Sequence, residues 1–165
     1  MTVGELKKLY PQASYRLSSL PDLPSVVAVS EGSENLFYFL AVPQSEHLPS
    51  DEAVIQLLVT GNSRYKTDLG IGPESDLPEV VRAYGAVKVY YSSDAEYAQF
   101  SKQPNSKQSG MSFWLQPPTG EKTAGKYSWK DVKKNLCVEA KSGFCESEDF
   151  KSGSKLRYIA IGGRY

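Results

Sequence analysis

The sequence of 165 residues lacks an excess of either charge, since 19 lysines and arginines stand against 19 aspartates and glutamates. Its densest basic cluster, Lys130, Lys133 and Lys134, shares a helical pattern with Asp131 and Glu139. Mixed charge of this kind is typical of a solvated helix face. A polyanion-binding surface needs segregated positive charge, so we expect no nucleic acid partner.

Long apolar runs are also absent. No stretch approaches the roughly 18 apolar residues of a transmembrane helix, and no signal-peptide pattern is present. Met1 stands directly before a helix cap at Thr2, which favours a chain whose leader, with or without a lipid anchor, has been removed. We therefore expect no transmembrane segment.

The residue types of common catalytic and metal sites are scarce. His47, the single histidine, lies in a polar loop without the partners of a Ser-His-Asp triad or a zinc site. Gly70 and Gly72 precede a helix, but the third glycine and the lysine of a phosphate loop are missing. We expect no catalytic residue, no metal and no cofactor.

The two cysteines, Cys137 and Cys145, flank a segment that contains Ser142 and Gly143. A tight reversal at these residues would bring the two Cβ atoms within disulfide range. A pair of unlinked thiols is the alternative. A disulfide would indicate an oxidising compartment, such as a periplasm or the cell exterior.

Residues 70–85, GIGPESDLPEVVRAYG, predict a short helix with defined ends. Asp76 is a helix cap, Glu79 three residues later completes a capping box, and Gly85 ends the helix. Its apolar face has helical spacing and consists of Leu77, Val80, Val81 and Tyr84.

Residues 2–12 repeat this pattern, with Thr2 in the place of Asp76 and Glu5 in the place of Glu79. Short alternating strands follow each helix without crossover helices. We therefore predict an α+β fold of two tandem helix-plus-antiparallel-sheet units, with the helices on one sheet face. The units span residues 1–68 and 69–165, the second carries an insertion at 117–154, and together they form one integrated domain.

Alternation along the strands predicts two faces. Alignment of residues 35–43 with 110–118 pairs Leu36 with Met111, Tyr38 with Phe113 and Leu40 with Leu115, and we assign these to the core beneath the helices. The intervening residues form the candidate partner-binding face on the other side: Phe37, Phe39, Leu58, Tyr90, Trp114 and Tyr158. The insertion covering this face as a second core is the alternative.

The motif at residues 70–85 resembles that of small bacterial envelope proteins. These share the fold of the β-lactamase inhibitory protein and of the small lipoprotein of the outer-membrane β-barrel assembly machine. In that fold, short helices pack on one face of an antiparallel sheet. In the inhibitory protein the unit occurs twice, and its concave sheet face grips an enzyme. The resemblance implies an exported bacterial protein and leaves the target open.

We interpret the chain as a non-enzymatic protein-binding module, periplasmic, envelope-associated or secreted, of the inhibitor or assembly-factor type. Aromatic anchors would bury in a partner protein, and neighbouring charges would set specificity. One alternative is a small-ligand pocket near the 117–154 insertion, around Trp129. The third interpretation is a hydrolase that uses the loop carboxylates, namely Asp51, Glu52, Glu146, Glu148 and Asp149.

Overall fold

The computed structural model describes residues 1–43, 46–92, 95–102, 110–127 and 145–162. Within these ranges the chain forms two short helices and nine β-strands. In chain order they are α1 (Val3–Leu9), β1 (Ser14–Leu20), β2 (Leu23–Glu31), β3 (Glu34–Val42), β4 (Val54–Thr60), α2 (Leu77–Tyr84), β5 (Val87–Tyr91), β6 (Glu96–Phe100), β7 (Met111–Gln116), β8 (Cys145–Ser147) and β9 (Lys155–Gly162).

The nine described strands belong to one sheet, in the order β1-β2-β3-β4-β9-β7-β6-β5-β8. Every neighbouring pair is antiparallel. At the centre β4 pairs with β9, from Leu57 opposite Gly162 to Thr60 opposite Ile159. This pairing joins the strands that follow α1 to those that follow α2.

The prediction of an α+β fold built from two helix-plus-sheet units is wrong. The described chain is mainly β, with one continuous sheet and helices of only seven and eight residues. The β4–β9 pairing is the reason, because it leaves no free edge between the two groups of strands. The boundary at residue 68 and the 117–154 insertion stay predictions. The extra helix expected inside the insertion lies outside the described residues.

The helix ends agree only in part with the prediction. Thr2 begins α1 in a capping box: its hydroxyl accepts from the Glu5 N–H (3.2 Å), and the Glu5 carboxylate accepts from the Thr2 N–H (2.8 Å). Asp76 precedes α2 without a side-chain cap hydrogen bond, so the second predicted box is not formed. Gly85 ends α2 as predicted, with φ +81° and its N–H donating to the Val81 carbonyl.

Both faces of the sheet bury apolar side chains. On one face, Leu6 of α1 packs against Phe37 and Phe39 of β3. On the same face, Tyr84 of α2 lies 5.5 Å, centroid to centroid, from the ring of Phe113 on β7. The helices thus cover two separate regions of one sheet face.

The opposite face has a core cluster of its own, which includes Leu20, Leu23, Leu40, Val59 and Trp114. No residue of α1 or α2 belongs to this cluster. Leu20 and Leu23 come from the two ends of the β1–β2 turn. That turn therefore folds back over the sheet face that the helices leave uncovered.

The two helix starts provide a matched pair of cap variants. We expect Thr2→Ala to lower the free energy of unfolding by about 1 kcal/mol, because the Glu5 N–H loses its acceptor. Asp76→Ala should change it by less than about 0.5 kcal/mol, since that side chain caps nothing. Urea unfolding at neutral pH measures both. Equal losses in the two variants would contradict this assignment of the caps.

Candidate functional site

Four aromatic side chains form a cross-strand ladder on the face opposite the helices. Tyr158 lies opposite Trp114, Trp114 opposite Tyr97, and Tyr97 opposite Tyr90, on the neighbouring strands β9, β7, β6 and β5. Directly opposed residues project to the same side of a sheet. The ring of Tyr38 on β3, 6.3 Å from that of Tyr158, extends the row. We call these five residues the aromatic face.

Trp114 organises the aromatic face. Its indole makes edge-to-face contacts with Tyr97 at 5.3 Å and with Tyr158 at 5.5 Å between ring centroids. Edge-to-face pairs contribute about 0.5–1.5 kcal/mol beyond the burial of their area. Trp114 itself is only 5% exposed, whereas the four tyrosines are partly exposed. Tyr97 and Tyr158 therefore flank a buried indole in fixed positions.

The turn between β1 and β2 is held against this face by a buried apolar cluster and by hydrogen bonds to Asp22. Leu20 and Leu23 pack in the same cluster as Trp114. Beside them, the Asp22 carboxylate accepts hydrogen bonds from the Tyr97 hydroxyl (2.6 Å) and from the Ser92 hydroxyl (2.8 Å). These contacts explain why Trp114 is buried while the four tyrosines stay partly exposed.

Two arginines border the Tyr38 end of the aromatic face. Arg16 lies opposite Ala28, and Ala28 opposite Tyr38, so Arg16 shares that side of the sheet. The Arg157 guanidinium carbon is 5.2 Å from the centroid of the Tyr158 ring. Neither arginine forms an ion pair with any residue in the described ranges. Among the described residues, no carboxylate therefore neutralises the positive charge at this end of the face.

The pKa of Tyr38 depends both on its burial beside Tyr158 and on the two nearby arginines. Burial of its hydroxyl, and then the neighbouring Tyr158, raise the pKa of Tyr38 above its ordinary value. Arg157 and Arg16 oppose this rise, because positive charge favours the phenolate. Both arginines are thus near enough to Tyr38 to act on the same hydroxyl.

The six residues predicted to form one partner-binding face are divided between the two sheet faces. Phe37 and Phe39 are buried in the cluster beneath α1, and Leu58 packs against the same cluster. The other three, Tyr90, Trp114 and Tyr158, lie on the aromatic face. The prediction of a single shared face is therefore wrong.

The error arose in β3, where both alternating sets of side chains are apolar. Phe39, rather than Tyr38, has the position that Phe113 has on β7, beneath a helix. The alignment that paired Tyr38 with Phe113 was therefore shifted by one residue, and such a shift exchanges the two faces.

The residues that the prediction missed are Tyr38, Tyr97, Arg16 and Arg157. A usable sequence signal existed for Tyr97, because it alternates with the apolar residues Ala98 and Phe100. The structure buries these two residues beneath α2, which places Tyr97 on the opposite face. For Arg157 no such signal existed, since the pairing of β7 with β9 shifts register around it.

A buried carboxylate anchors the loop that follows β7. Glu96 is 5% exposed and accepts hydrogen bonds from the backbone N–H groups of Ala124 (2.5 Å) and Gly125 (3.0 Å). Burial raises the pKa of Glu96, and the two backbone hydrogen bonds oppose that rise. The buried hydroxyl of Tyr127 lies beside it, and burial together with the Glu96 charge raises the pKa of Tyr127. This cluster fixes the loop on β6.

Three of the five loop carboxylates of the hydrolase interpretation are each paired with a different lysine. Asp51 lies 2.7 Å from Lys7, and two further pairs are Glu146 with Lys88 (3.4 Å) and Asp149 with Lys126 (2.7 Å). Across the described ranges, no three His, Cys, Asp or Glu side chains are grouped to hold a metal ion. The lack of enzymatic activity stays a prediction.

The predicted disulfide falls partly outside the described residues. Cys145, at the start of β8, is disulfide-bonded. Cys137 lies in the range 128–144, outside the described residues, so the pairing of the two stays a prediction. Trp129, around which a ligand pocket was expected, lies in the same range. Within the described residues, a cavity of about 600 Å³ is lined by residues that include Val81, Lys88, Tyr90, Glu148 and Phe150.

Comparisons with protein-family models, with curated proteins and with solved structures each find no match to this chain. Neither of the described helices has the length and apolar character needed to cross a membrane. The resemblance to the inhibitory-protein fold therefore rests on the sequence motif.

The raised pKa of Glu96 predicts that its contribution to the unfolding free energy falls as pH rises. Since the pKa of Glu96 is raised in the folded state, its contribution is present below the ordinary carboxyl pKa and is lost as pH rises through the raised value. We expect the unfolding free energy of the native chain, relative to Glu96→Gln, to fall as pH rises from about 4 to about 7. Urea unfolding at a series of pH values measures this difference.

Asp149→Asn is the control with the opposite sign. Its hydrogen bond from Lys126 holds the pKa of Asp149 below the ordinary value, so its contribution is present above that value and is lost as pH falls. A pH-independent difference for Glu96→Gln would show that the Glu96 carboxyl is not perturbed by folding.

Proposed function

We propose that the chain is a non-enzymatic protein-binding module that holds an acidic loop of a partner protein against its aromatic face. The observation that carries this proposal is the row of Tyr38 and Tyr158 beside Arg16 and Arg157, which have no carboxylate partner in the described ranges.

The residue types support a protein interface. Tyrosine, tryptophan and arginine are the side chains most enriched among those that carry binding energy. Here Trp114 is the buried centre, and the partly exposed tyrosines around it supply contact area. Because ring contacts hold Tyr97 and Tyr158 before any partner arrives, less conformational entropy is lost on binding.

The positive charge of Arg16 and Arg157 favours a negatively charged partner. Asp22 is engaged by Tyr97 and Ser92, and Glu146, opposite Tyr90, pairs with Lys88. Arg16 and Arg157, by contrast, have no ion-pair partner in the described ranges. Complementary charges at an interface speed association and exclude partners of like charge. An acidic loop is therefore the favoured ligand. The resemblance stated above suggests an exported bacterial setting, in which the module is an inhibitor or an assembly factor.

The double variant Arg16→Glu with Arg157→Glu tests this proposal. Immobilised native chain, the double variant and the control Arg82→Glu, an exposed substitution on α2, are incubated with bacterial envelope extract at low and high salt. We expect acidic proteins captured by the native chain and by the control to bind the double variant at least about tenfold more weakly. The native interaction should also weaken with salt.

A photo-crosslinking residue at Tyr38 supplies the second measurement, with the same residue at exposed Leu48 as its control. A crosslink to the captured protein from position 38 alone is expected. Capture that is equal in all variants, or crosslinks from position 48 only, would refute binding through the aromatic face.

A further inference from the structure

The sheet ends at two edge strands of different kinds. β8 has three residues, whereas β1 has seven and pairs on one side only, with β2. An edge strand presents a row of unpaired backbone N–H and C=O groups, and proteins blunt such edges with proline, lysine, short strands or a covering segment. β1 contains neither proline nor lysine, and no backbone group in the described ranges pairs with its outer side. This edge is therefore open to another strand.

The direction of the backbone groups of β1 follows from a side-chain hydrogen bond. The Ser14 hydroxyl donates to the Ser30 carbonyl at 3.3 Å, so that carbonyl points toward β1. Ser14 and Ser30 are register partners, and antiparallel partners alternate along the strands between bonding to each other and facing away. Ser14 therefore bonds to β2, as does Arg16 two residues later. The N–H and C=O groups of Tyr15 and Leu17 point outward.

The side chains of β1 define what an added strand must carry. Arg16 is exposed and forms no ion pair in the described ranges, and β1 contains no acidic residue. Leu17 lies opposite Val27, on the helix side of the sheet, and is 43% exposed. An added antiparallel strand would face Arg16 in a non-hydrogen-bonded pair, where opposed side chains are closest. A carboxylate at that position would neutralise the arginine.

We propose that β1 binds an extended acidic segment of a partner protein, which adds to the sheet as one more antiparallel strand. The outward backbone groups of Tyr15 and Leu17 hold the segment, and the same pairing fixes its register. A glutamate or aspartate lies opposite Arg16, and an apolar residue opposite Leu17 covers that side chain. This surface goes beyond the proposed function and shares only Arg16 with it, because pairing at the edge needs none of the tyrosines of the aromatic face.

Other occupants fit this edge less well. The two-fold pairing of two copies that uses the outward groups of both Tyr15 and Leu17 has its axis at Arg16. It places Arg16 directly opposite Arg16 of the second copy, and like charges in that position destabilise a strand pair. A helix has its backbone groups bonded internally and leaves none for the edge. An extended segment of opposite charge is thus the occupant that the geometry favours.

A peptide of seven residues, the length of β1, tests the backbone pairing. Its sequence is Gln-Thr-Val-Glu-Val-Thr-Gln, which has strong β-propensity at its centre. With the glutamate opposite Arg16, the two valines bond to β1 and the two threonines face away. One form carries N-methyl groups on both valines, and the control carries them on both threonines. We expect the control to bind the full chain and the valine-methylated form to bind at least about tenfold more weakly.

Hydrogen exchange of the ¹⁵N-labelled full chain locates the bound peptide. Binding of the control form should slow exchange of the Tyr15 and Leu17 amides, because these point outward and gain acceptors. The amides of Arg16 and Ser18 already bond to β2, so their exchange should stay unchanged. Protection that does not alternate in this way would contradict strand addition at β1.

Substitutions separate backbone from side chain. Leu17→Pro removes one outward N–H at an edge position where proline is tolerated, and it should weaken the control peptide by at least about tenfold. Leu17→Val keeps the N–H and should bind normally. Arg16→Glu should prefer a peptide with a central lysine, which tests the charge in a chain whose backbone is unchanged. Arg157→Glu, at the aromatic face, should leave peptide affinity unaltered, so failure here is distinct from failure of the aromatic face. Unfolding midpoints show that each variant is folded.

Three outcomes would overturn the proposal. Equal affinities of the two N-methylated forms would remove backbone pairing. Equal binding of glutamate and lysine peptides to the native chain would remove the acidic preference. Concentration-dependent dimers of the native chain that Leu17→Pro abolishes would make a second copy of this chain the occupant.

Discussion

The pairing of β4 with β9 is the interaction on which the rest of this structure depends. It places the strands that follow α1 and those that follow α2 in one sheet, and it does so at close range. A Cβ on Gly162 would meet the carbonyl oxygen of Gln56 and the backbone of Leu57, so a glycine is required where the two strands meet. The same register sends Leu58 and Ile161 to the helix side, and Val59 and Ala160 to the other side.

The apolar side chains on the two faces of the sheet are covered in different ways. On the helix side, two short helices cover two separate regions, and of the central strand β9 Ile159 is buried whereas Ile161 stays half exposed. On the other side, which neither α1 nor α2 covers, the end of the β1–β2 hairpin covers the buried indole of Trp114, and Asp22 secures it by accepting hydrogen bonds from Tyr97 and Ser92. Small residues at the centre, such as Ala160, allow the large rings to lie over them.

Because the two faces are covered differently, they present surfaces of different chemistry. The aromatic face offers phenol groups and is bordered by two arginines that have no ion-pair partner in the described ranges. On the helix side, a few large apolar side chains near the central strands stay exposed, among them Leu9, Leu69 and Ile161. Glu96 and its loop act on stability.

Local features followed from the sequence alone, whereas the choice of faces did not. The Thr2–Glu5 capping box and the end of α2 at Gly85 depend on residues a few positions apart, and their sequence pattern predicted both. The same capping pattern at Asp76 and Glu79 forms no box, so a local pattern is not always sufficient. Alternation likewise grouped Phe37 with Phe39. It did not tell which group lies beneath a helix, because both sides of β3 are apolar and the register shifts between Val29 and Ser30 and between Leu40 and Ala41 interrupt the pattern. Only the long-range pairing of strands, above all of β4 with β9, decided which side chains were covered and which were left exposed.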